Sequence, residues 1–268
     1  MFEGESEQHM HRFTILMYHM VCSPKTTKEA KYACPPEQFE QHLHYIKNSH
    51  HTVVSLDDIE QYLLSGSTLP ENAVAITLDD GFEDNYTQAF PLLQKYELSA
   101  SIFLATGVIG ASNKWMQGRD FPKRAMLNWG QIEEMSRYQI SFGAHTVSHA
   151  KLSELDASAA AQEIVLSKQQ IEEQLGQACP HFAYPYGLFA KQTPEIVKNA
   201  GFTLACSTRS GFNNSKVPPF ILNRTNVYGT DTVWRLKQKL TFGINDTSRI
   251  FPLMYYSKRM LTKIGLQS

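Results

Sequence analysis

Short apolar runs and stretches of helical periodicity alternate along almost the whole chain. The runs fall at 14–18, 52–56, 73–78, 99–105, 140–144, 182–184 and 203–207, with an eighth candidate at 221–227. Between them, helical spacing of the apolar positions predicts helices over 37–48, 57–64, 87–96, 129–138, 157–175 and 194–200, the last stopped by Gly201. Alternation of this kind marks βα units around a parallel sheet. Seven or eight such units fit an α/β fold with a single distorted (β/α)7-8 barrel. An open dinucleotide-binding sheet is the weaker alternative, because no GxGxxG follows the first run. In such barrels the chemistry sits where strands end, so polar clusters just after apolar runs are the places to search.

Composition narrows the classes. With 268 residues, 42% hydrophobic and 19% charged, the chain can bury a full core, which excludes intrinsic disorder and a disulfide-stapled miniature. A formal charge of -1 lacks the basic footprint of a nucleic-acid binder, so no nucleic-acid partner is expected. No stretch approaches the roughly 18 to 20 apolar residues of a membrane-spanning helix. The start, 1–12, is acidic and His-rich, and the run at 13–18 is too short for a signal-peptide core, so the expected address is cytoplasmic. Cys22, Cys34, Cys179 and Cys206 form no CxxC pair and read as buried or incidental thiols.

Three polar clusters close apolar runs. The first is Thr77-Leu78-Asp79-Asp80-Gly81-Phe82. Neighbours in a strand point to opposite faces, but a turn can bring two adjacent carboxylates to one site, one for a metal and one for a proton. An Asp-Gly turn with solvated carboxylates is the plain alternative. The second cluster holds His145 and His149, whose spacing of four brings both rings to one side of a helical turn or tight loop. Two imidazoles and a carboxylate make three ligands and leave a position for water, as in catalytic zinc sites, although non-haem iron also uses this set. Ordinary core or surface histidines would look the same. The third cluster, Phe182-Ala183-Tyr184-Pro185-Tyr186-Gly187, is also what a strand followed by a Pro-Gly turn would show.

Taken together and in this order, the clusters resemble the polysaccharide deacetylases, carbohydrate esterase family 4, also called the NodB-homology domain. The resemblance covers roughly 13–227 and includes Phe90-Pro91-Leu92-Leu93 and Phe142-Gly143-Ala144-His145. It implies a metal-dependent hydrolase that removes N-acetyl groups from an amino sugar in a polysaccharide, oligosaccharide or lipid-linked glycan precursor. It further implies Asp79 as the catalytic base, and Asp80, His145 and His149 as ligands of one divalent metal, Zn2+ foremost. The backbone amide of Tyr186 is implied as an oxyanion donor, and Tyr184, Pro185 and Trp115 are candidates for substrate contact. Two positions depart from the family pattern: the arginine that steadies the base is replaced by Ala183, and the late Leu-x-His that carries the acid reads Leu222-Asn223-Arg224. The branch resembling poly-N-acetylglucosamine deacetylases takes its acid histidine from an N-terminal Tyr-His, which here is Tyr18-His19. His19 is therefore the candidate acid and Arg224 the candidate replacement beside the base.

The connection 107–127 is long for a βα loop and carries Trp115, Met116, Arg119 and Phe121, which suits a rim for sugar rings. We read 1–232 as the barrel and 233–268 as a basic amphipathic extension. That extension holds seven Lys/Arg against the single acid Asp246, interleaved with apolar residues. Such a mixture suits peripheral contact with an anionic membrane surface, whereas Gly243 and Pro252 favour short helices packed on the barrel. Two other functions compete: a metal-independent amide hydrolase of the same superfamily, and a non-catalytic carbohydrate-binding module that kept the fold.

Overall fold

The computed structural model describes residues 11–245, 247 and 248. In chain order it contains β1 (Phe13–Tyr18), α1 (Pro36–Asn48), β2 (Thr52–Val53), α2 (Leu56–Ser65), β3 (Ala73–Leu78), α3 (Phe90–Lys95), β4 (Ala100–Leu104) and α4 (Trp129–Met135). There follow β5 (Ile140–Ala144), α5 (Ala157–Leu175), β6 (His181–Ala183), α6 (Thr193–Asn199), β7 (Leu204–Cys206), β8 (Thr225–Asn226) and α7 (Val233–Phe242). The strands form one curled parallel sheet in the order β7-β6-β5-β4-β3-β1-β8, with β2 attached to β3 off this path. This is the expected distorted (β/α) barrel.

Closure of the curl falls on one short segment. Leu222 donates to Ala205 O and accepts from Ser207 N on the β7 side. Three residues later Thr225 and Asn226 pair with Leu16 and Met17 of β1. The run expected at 221–227 is therefore a bent seam with only two residues of regular strand, and Arg224 lies at its bend.

Local chemistry explains where elements differ from their predicted extents. The run at 52–56 stops as a strand at Val53 because Ser55 caps α2, its hydroxyl accepting from Asp58 N while Asp58 accepts from Ser55 N. The helix predicted over 87–96 opens with a wide π-type turn over Asn85–Ala89, and α3 starts only at Phe90. Pro91, which has no N–H to donate, sits in that first helical turn.

Strand alternation sorts the core into two layers. Leu16, Tyr18, Val74, Ile76 and Leu78 pack outward against Phe39, Leu43 and Ile46 of α1. Phe13, Ile15, Ala73, Ala75, Phe103, Ala183 and Leu204 fill the inside of the curl, where Leu56 and Ile59 of α2 join them. Continuing the inner register along β1 and β3 leads to Met17, His19, Thr77 and Asp79. The apolar plug thus gives way to polar groups at the C-terminal ends of the strands.

The segment read as an extension begins as part of this core. Helix α7 buries Leu236 and Leu240 in the outer layer, and Lys239 is fully buried with its Nζ 2.6 Å from Asp231 Oδ2. Trp234 remains exposed. Among the described residues no helix is long and apolar enough to cross a membrane. The part of the predicted membrane-contacting surface that falls in 249–268 lies outside the described residues.

Candidate active site

The carboxylates of Asp79 and Asp80 reach the same cavity from adjacent positions because the chain turns sharply between them. Asp79 N still bonds to Tyr18 O in strand fashion, whereas Asp80 adopts φ 78° and Gly81 φ 78°. The left-handed φ of Gly81 is what favours glycine there, and an added Cβ would also crowd the Leu104 side chain, with Cδ2 at 2.8 Å. Thr146, His149 and Tyr186 also hold positive φ. Among the described residues, four of the seven non-glycine residues with positive φ thus belong to the site or its loops. Each costs on the order of 1 kcal/mol, and the surrounding contacts must fix them.

Glu163 of α5 supplies much of that fixing. Its Oε2 accepts from Val147 N at 2.8 Å and Ser148 N at 2.9 Å, and its Oε1 accepts from Ser148 Oγ at 2.7 Å. The loop between the two histidines is therefore tied to the helix behind it. Ring contacts complete the frame around His149: Trp115 stacks on it at 4.7 Å, and Tyr186 and His145 meet it edge-on at 4.6 and 4.9 Å.

One buried trio gathers at the strand ends. Single donor atoms of Asp80, His145 and His149 all lie within 4.8 Å of one another. His145 Nδ1 lies 2.7 Å from Ala183 O, so donation to that carbonyl leaves its Nε2 as a lone pair toward Asp80 Oδ1, 3.5 Å away. His149 Nε2 lies 3.0 Å from the same oxygen. Among the described residues Asp80 Oδ1 nevertheless has no hydrogen-bond partner, so these atoms are close without being aligned on each other. Buried donor atoms converging in this way fit a divalent cation, and the borderline N,N,O set fits zinc. Burial lowers the His149 pKa below 6.5 despite the pull of Asp80, which favours the neutral imidazole that a metal needs. Burial pushes the Asp80 carboxyl up, but His149, with the His145 contact, holds it well below its ordinary 3.8.

Beside the trio, Asp79 is locked to Arg224 in a two-pronged pair, Nη1 to Oδ1 at 2.6 Å and Nη2 to Oδ2 at 2.7 Å. Both side chains are buried, and the guanidinium also donates to Ser207 O and Thr77 Oγ1. Burial would raise the Asp79 pKa, but the Arg224 charge, followed by His145, outweighs it and leaves the net value lowered. The arginine expected on β6 is thus absent at Ala183, and one from the closing seam grips Asp79 instead.

These groups open on a cavity of about 330 Å³ that Met17, His19, Asp79, Asp80, His145 and His149 line from below. Trp115, Met116, Arg119 and Phe121 line it from the long connection, as expected, and Tyr32, Thr208, Asn226 and Tyr228 complete the wall. The ring of His19 sits 5.3 Å from Tyr32, and its main-chain O accepts from Asn85. The connection is held in place by Arg124, which grips buried Glu29 with two hydrogen bonds of 2.7 Å. A larger groove of about 710 Å³ between α1 and α7 contains none of the trio.

Two expected substrate contacts are corrected. Tyr184 is fully buried in the outer core, where its ring packs on Phe182 and Phe189 and its hydroxyl donates to Phe220 O. Pro185 is buried and likewise does not line the cavity. Tyr186, in contrast, lines it, half-exposed. Glu163, Glu29, Lys31, Tyr32 and Tyr228 were not anticipated.

A parallel barrel with paired carboxylates and paired imidazoles at its strand ends defines a hydrolase of the polysaccharide-deacetylase class. Residues 66–205, just over half of the chain, match the sequence profile of the family described as polysaccharide deacetylase, and the chain belongs to that family. It is 26% identical over 216 residues to the YxkH protein of Bacillus subtilis, covering 81% of this chain and 71% of that one. It is also 26% identical over 186 residues to the poly-beta-1,6-N-acetyl-D-glucosamine N-deacetylase of Staphylococcus aureus, covering 66% of this chain and spanning 61% of that relative. Among solved structures it resembles the deacetylase PplD of Streptococcus pyogenes in complex with acetate, with TM-score 0.75, 27% identity, and coverage of 86% of this chain and 99% of that one. IcaB from Ammonifex degensii aligns with TM-score 0.71 and 28% identity over 86% of this chain and 97% of its own.

Proposed function

We propose that this protein is a divalent-metal-dependent N-deacetylase acting on an N-acetylated amino sugar within a glycan or glycan precursor. The carrying observation is the placement of the Asp80–His145–His149 trio next to an ionised, arginine-paired Asp79 in one cavity. Likeness to a relative named for poly-beta-1,6-N-acetyl-D-glucosamine supports an amino-sugar substrate.

In this reading Asp80, His145 and His149 hold the ion. A bound zinc ion supplies Lewis acidity toward the acetamide carbonyl and makes water more acidic. Asp79 takes the proton of the attacking water as the new C–O bond forms at the carbonyl carbon. Arg224 keeps Asp79 ionised and oriented for this. The backbone N–H of Tyr186 donates to the developing oxyanion, a type of contact that typically contributes about 2.7–4 kcal/mol. His19 protonates the nitrogen while the C–N bond breaks, so that acetate and a free amino sugar leave. Trp115 and Tyr186 hold the sugar beside His149. The Arg224–Asp79 pair supplies from the seam what Ala183 cannot, which weighs against the non-catalytic alternative.

The test is acetate release from neutral N-acetylated oligosaccharides and lipid-linked precursors, with and without chelator. Release that chelator abolishes and added zinc restores is the expected result. Release that is indifferent to chelator would favour the metal-independent hydrolase.

A further inference from the structure

The cations around the cavity mouth are used unequally. On the segments 28–32 and 113–124, Lys28 meets Asp120 at 3.3 Å and Arg124 grips Glu29, so these two join the segments to each other. Lys114 and Lys123 are exposed and do not line the cavity. Lys31 and Arg119 do line it, and neither meets a carboxylate among the described residues. Each instead rests on an aromatic wall residue. Lys31 Nζ lies 5.2 Å from the Tyr228 ring and 5.7 Å from the Tyr32 ring. The Arg119 guanidinium lies 5.8 Å from the Tyr186 ring, and its Nη1 donates to the Tyr186 hydroxyl at 3.3 Å.

The carboxylates lining the cavity, among the described residues, are Asp79 and Asp80. Asp79 is neutralised by Arg224, and Asp80 faces the imidazoles. Among the described residues, then, no carboxylate pairs with these two positive charges at the mouth, and a neutral glycan offers them no counter-charge. Arg119 is separated from His149 by a single ring, that of Tyr186. A group held by Arg119 would thus sit on the reacting sugar or on its immediate neighbour.

From this we infer that the substrate is an anionic glycan, one that carries a phosphate or carboxylate beside the reacting acetamido sugar and is recognised by Lys31 and Arg119. The inference deepens the deacetylase reading and rests on the same cavity. A planar guanidinium and an ammonium suit the oxygens of either anion, and the aromatic seats limit how far the two side chains can stray.

The experiment compares a neutral N-acetylated trisaccharide with the same trisaccharide bearing a phosphate, and with one bearing a carboxylate, on the sugar next to the reactive one. Binding to the full chain is measured by calorimetry in chelator, where no turnover interferes, and acetate release is measured separately with zinc. At low salt at least one charged trisaccharide binds about tenfold or more tightly than the neutral one. That advantage shrinks as ionic strength rises. It collapses in Lys31→Ala/Arg119→Ala and persists in Lys114→Ala/Lys123→Ala, which removes equal charge from outside the cavity. The two anions tell which group is read. Equal binding of charged and neutral ligands at low salt, or a preference that survives Lys31→Ala/Arg119→Ala, overturns the inference. If charged ligands bind preferentially but none releases acetate, the deacetylase reading falls and the anionic subsite stands. If all three release acetate equally well and bind equally, the subsite falls alone.

Discussion

Replacing Arg224 by glutamine tests the electrostatic design of the site most directly, because it removes the partner of a buried carboxylate and leaves the carboxylate in place. Wild-type Arg224 makes two charge-assisted hydrogen bonds to Asp79 and others to Ser207 O and Thr77 Oγ1, all buried. Breaking a buried pair by removing one member typically costs about 3–5 kcal/mol, so Arg224→Gln should cost about 4 kcal/mol at neutral pH. The pH dependence is specific. In the wild type the Asp79 pKa is lowered, so its contribution is present above the ordinary value of 3.8 and is lost as pH falls through the folded value. In Arg224→Gln the largest effect on Asp79, burial, acts without its main opponent and raises the pKa. The folded state then prefers the protonated acid, stability is greatest below 3.8, and it declines as pH rises through the raised value. The difference between the proteins must therefore widen from about pH 4 to pH 8, by roughly 1.4 kcal/mol for each unit separating the two folded pKa values that the range spans. Urea denaturation midpoints of both proteins in chelator, at several pH values, give the comparison. Asp79→Asn/Arg224→Gln, which has no charge left to strand, should recover part of the loss. A penalty under about 1 kcal/mol that does not change with pH would refute the reasoning.

Three further outcomes are expected. His145→Ala/His149→Ala should lose the bound metal by elemental analysis while wild type retains one ion per chain, and equal metal in both would remove the trio as its site. His19→Ala should lose about 10²- to 10⁴-fold of the rate on an acetamide and far less on an activated ester, whose leaving group needs no proton; equal losses would make the role of His19 structural. Glu163→Ala frees two amides and a hydroxyl of the His145–His149 loop and should weaken zinc binding by about 10- to 100-fold in a calorimetric titration, with Glu163→Gln falling between it and wild type.

The parts of the fold that were legible in the sequence are those where one local signal dominates. Strands β3 and β5 and helix α5 fall at the predicted residues, because uninterrupted apolar runs and a long periodic segment ending at Gly176 leave little to decide. That Asp79, Asp80, His145 and His149 meet in one cavity was legible because each follows such a run, whereas Arg224 sits inside the 221–227 run, at a bend that no local signal marks. Tyr184 was misjudged for a reason of parity. Phe182 and Tyr184 share the outer side of their run, while His181 and Ala183 occupy the alternate side, so an aromatic motif near the site still points away from it. Glu163 and the Glu29–Arg124 clasp were out of reach because their partners are 15 or 16 and 95 residues distant, and nothing local marks a carboxylate as a clamp rather than as part of a solvated surface.

The seam at 222–227 also has a consequence for the order in which the molecule is made. Asp79 emerges from the ribosome 145 residues before the arginine that neutralises it. Until then β1 lacks its β8 neighbour, β7 lacks its contact with Leu222, and a carboxylate on the inner face has water as its alternative to burial. Final compaction of the inner upper layer is thus tied to arrival of β8, a long-range closure of the kind that slows folding. One charge pair thus ties the two ends of the fold together: in a chain that stopped before Arg224, Asp79 would lack the partner that offsets its burial.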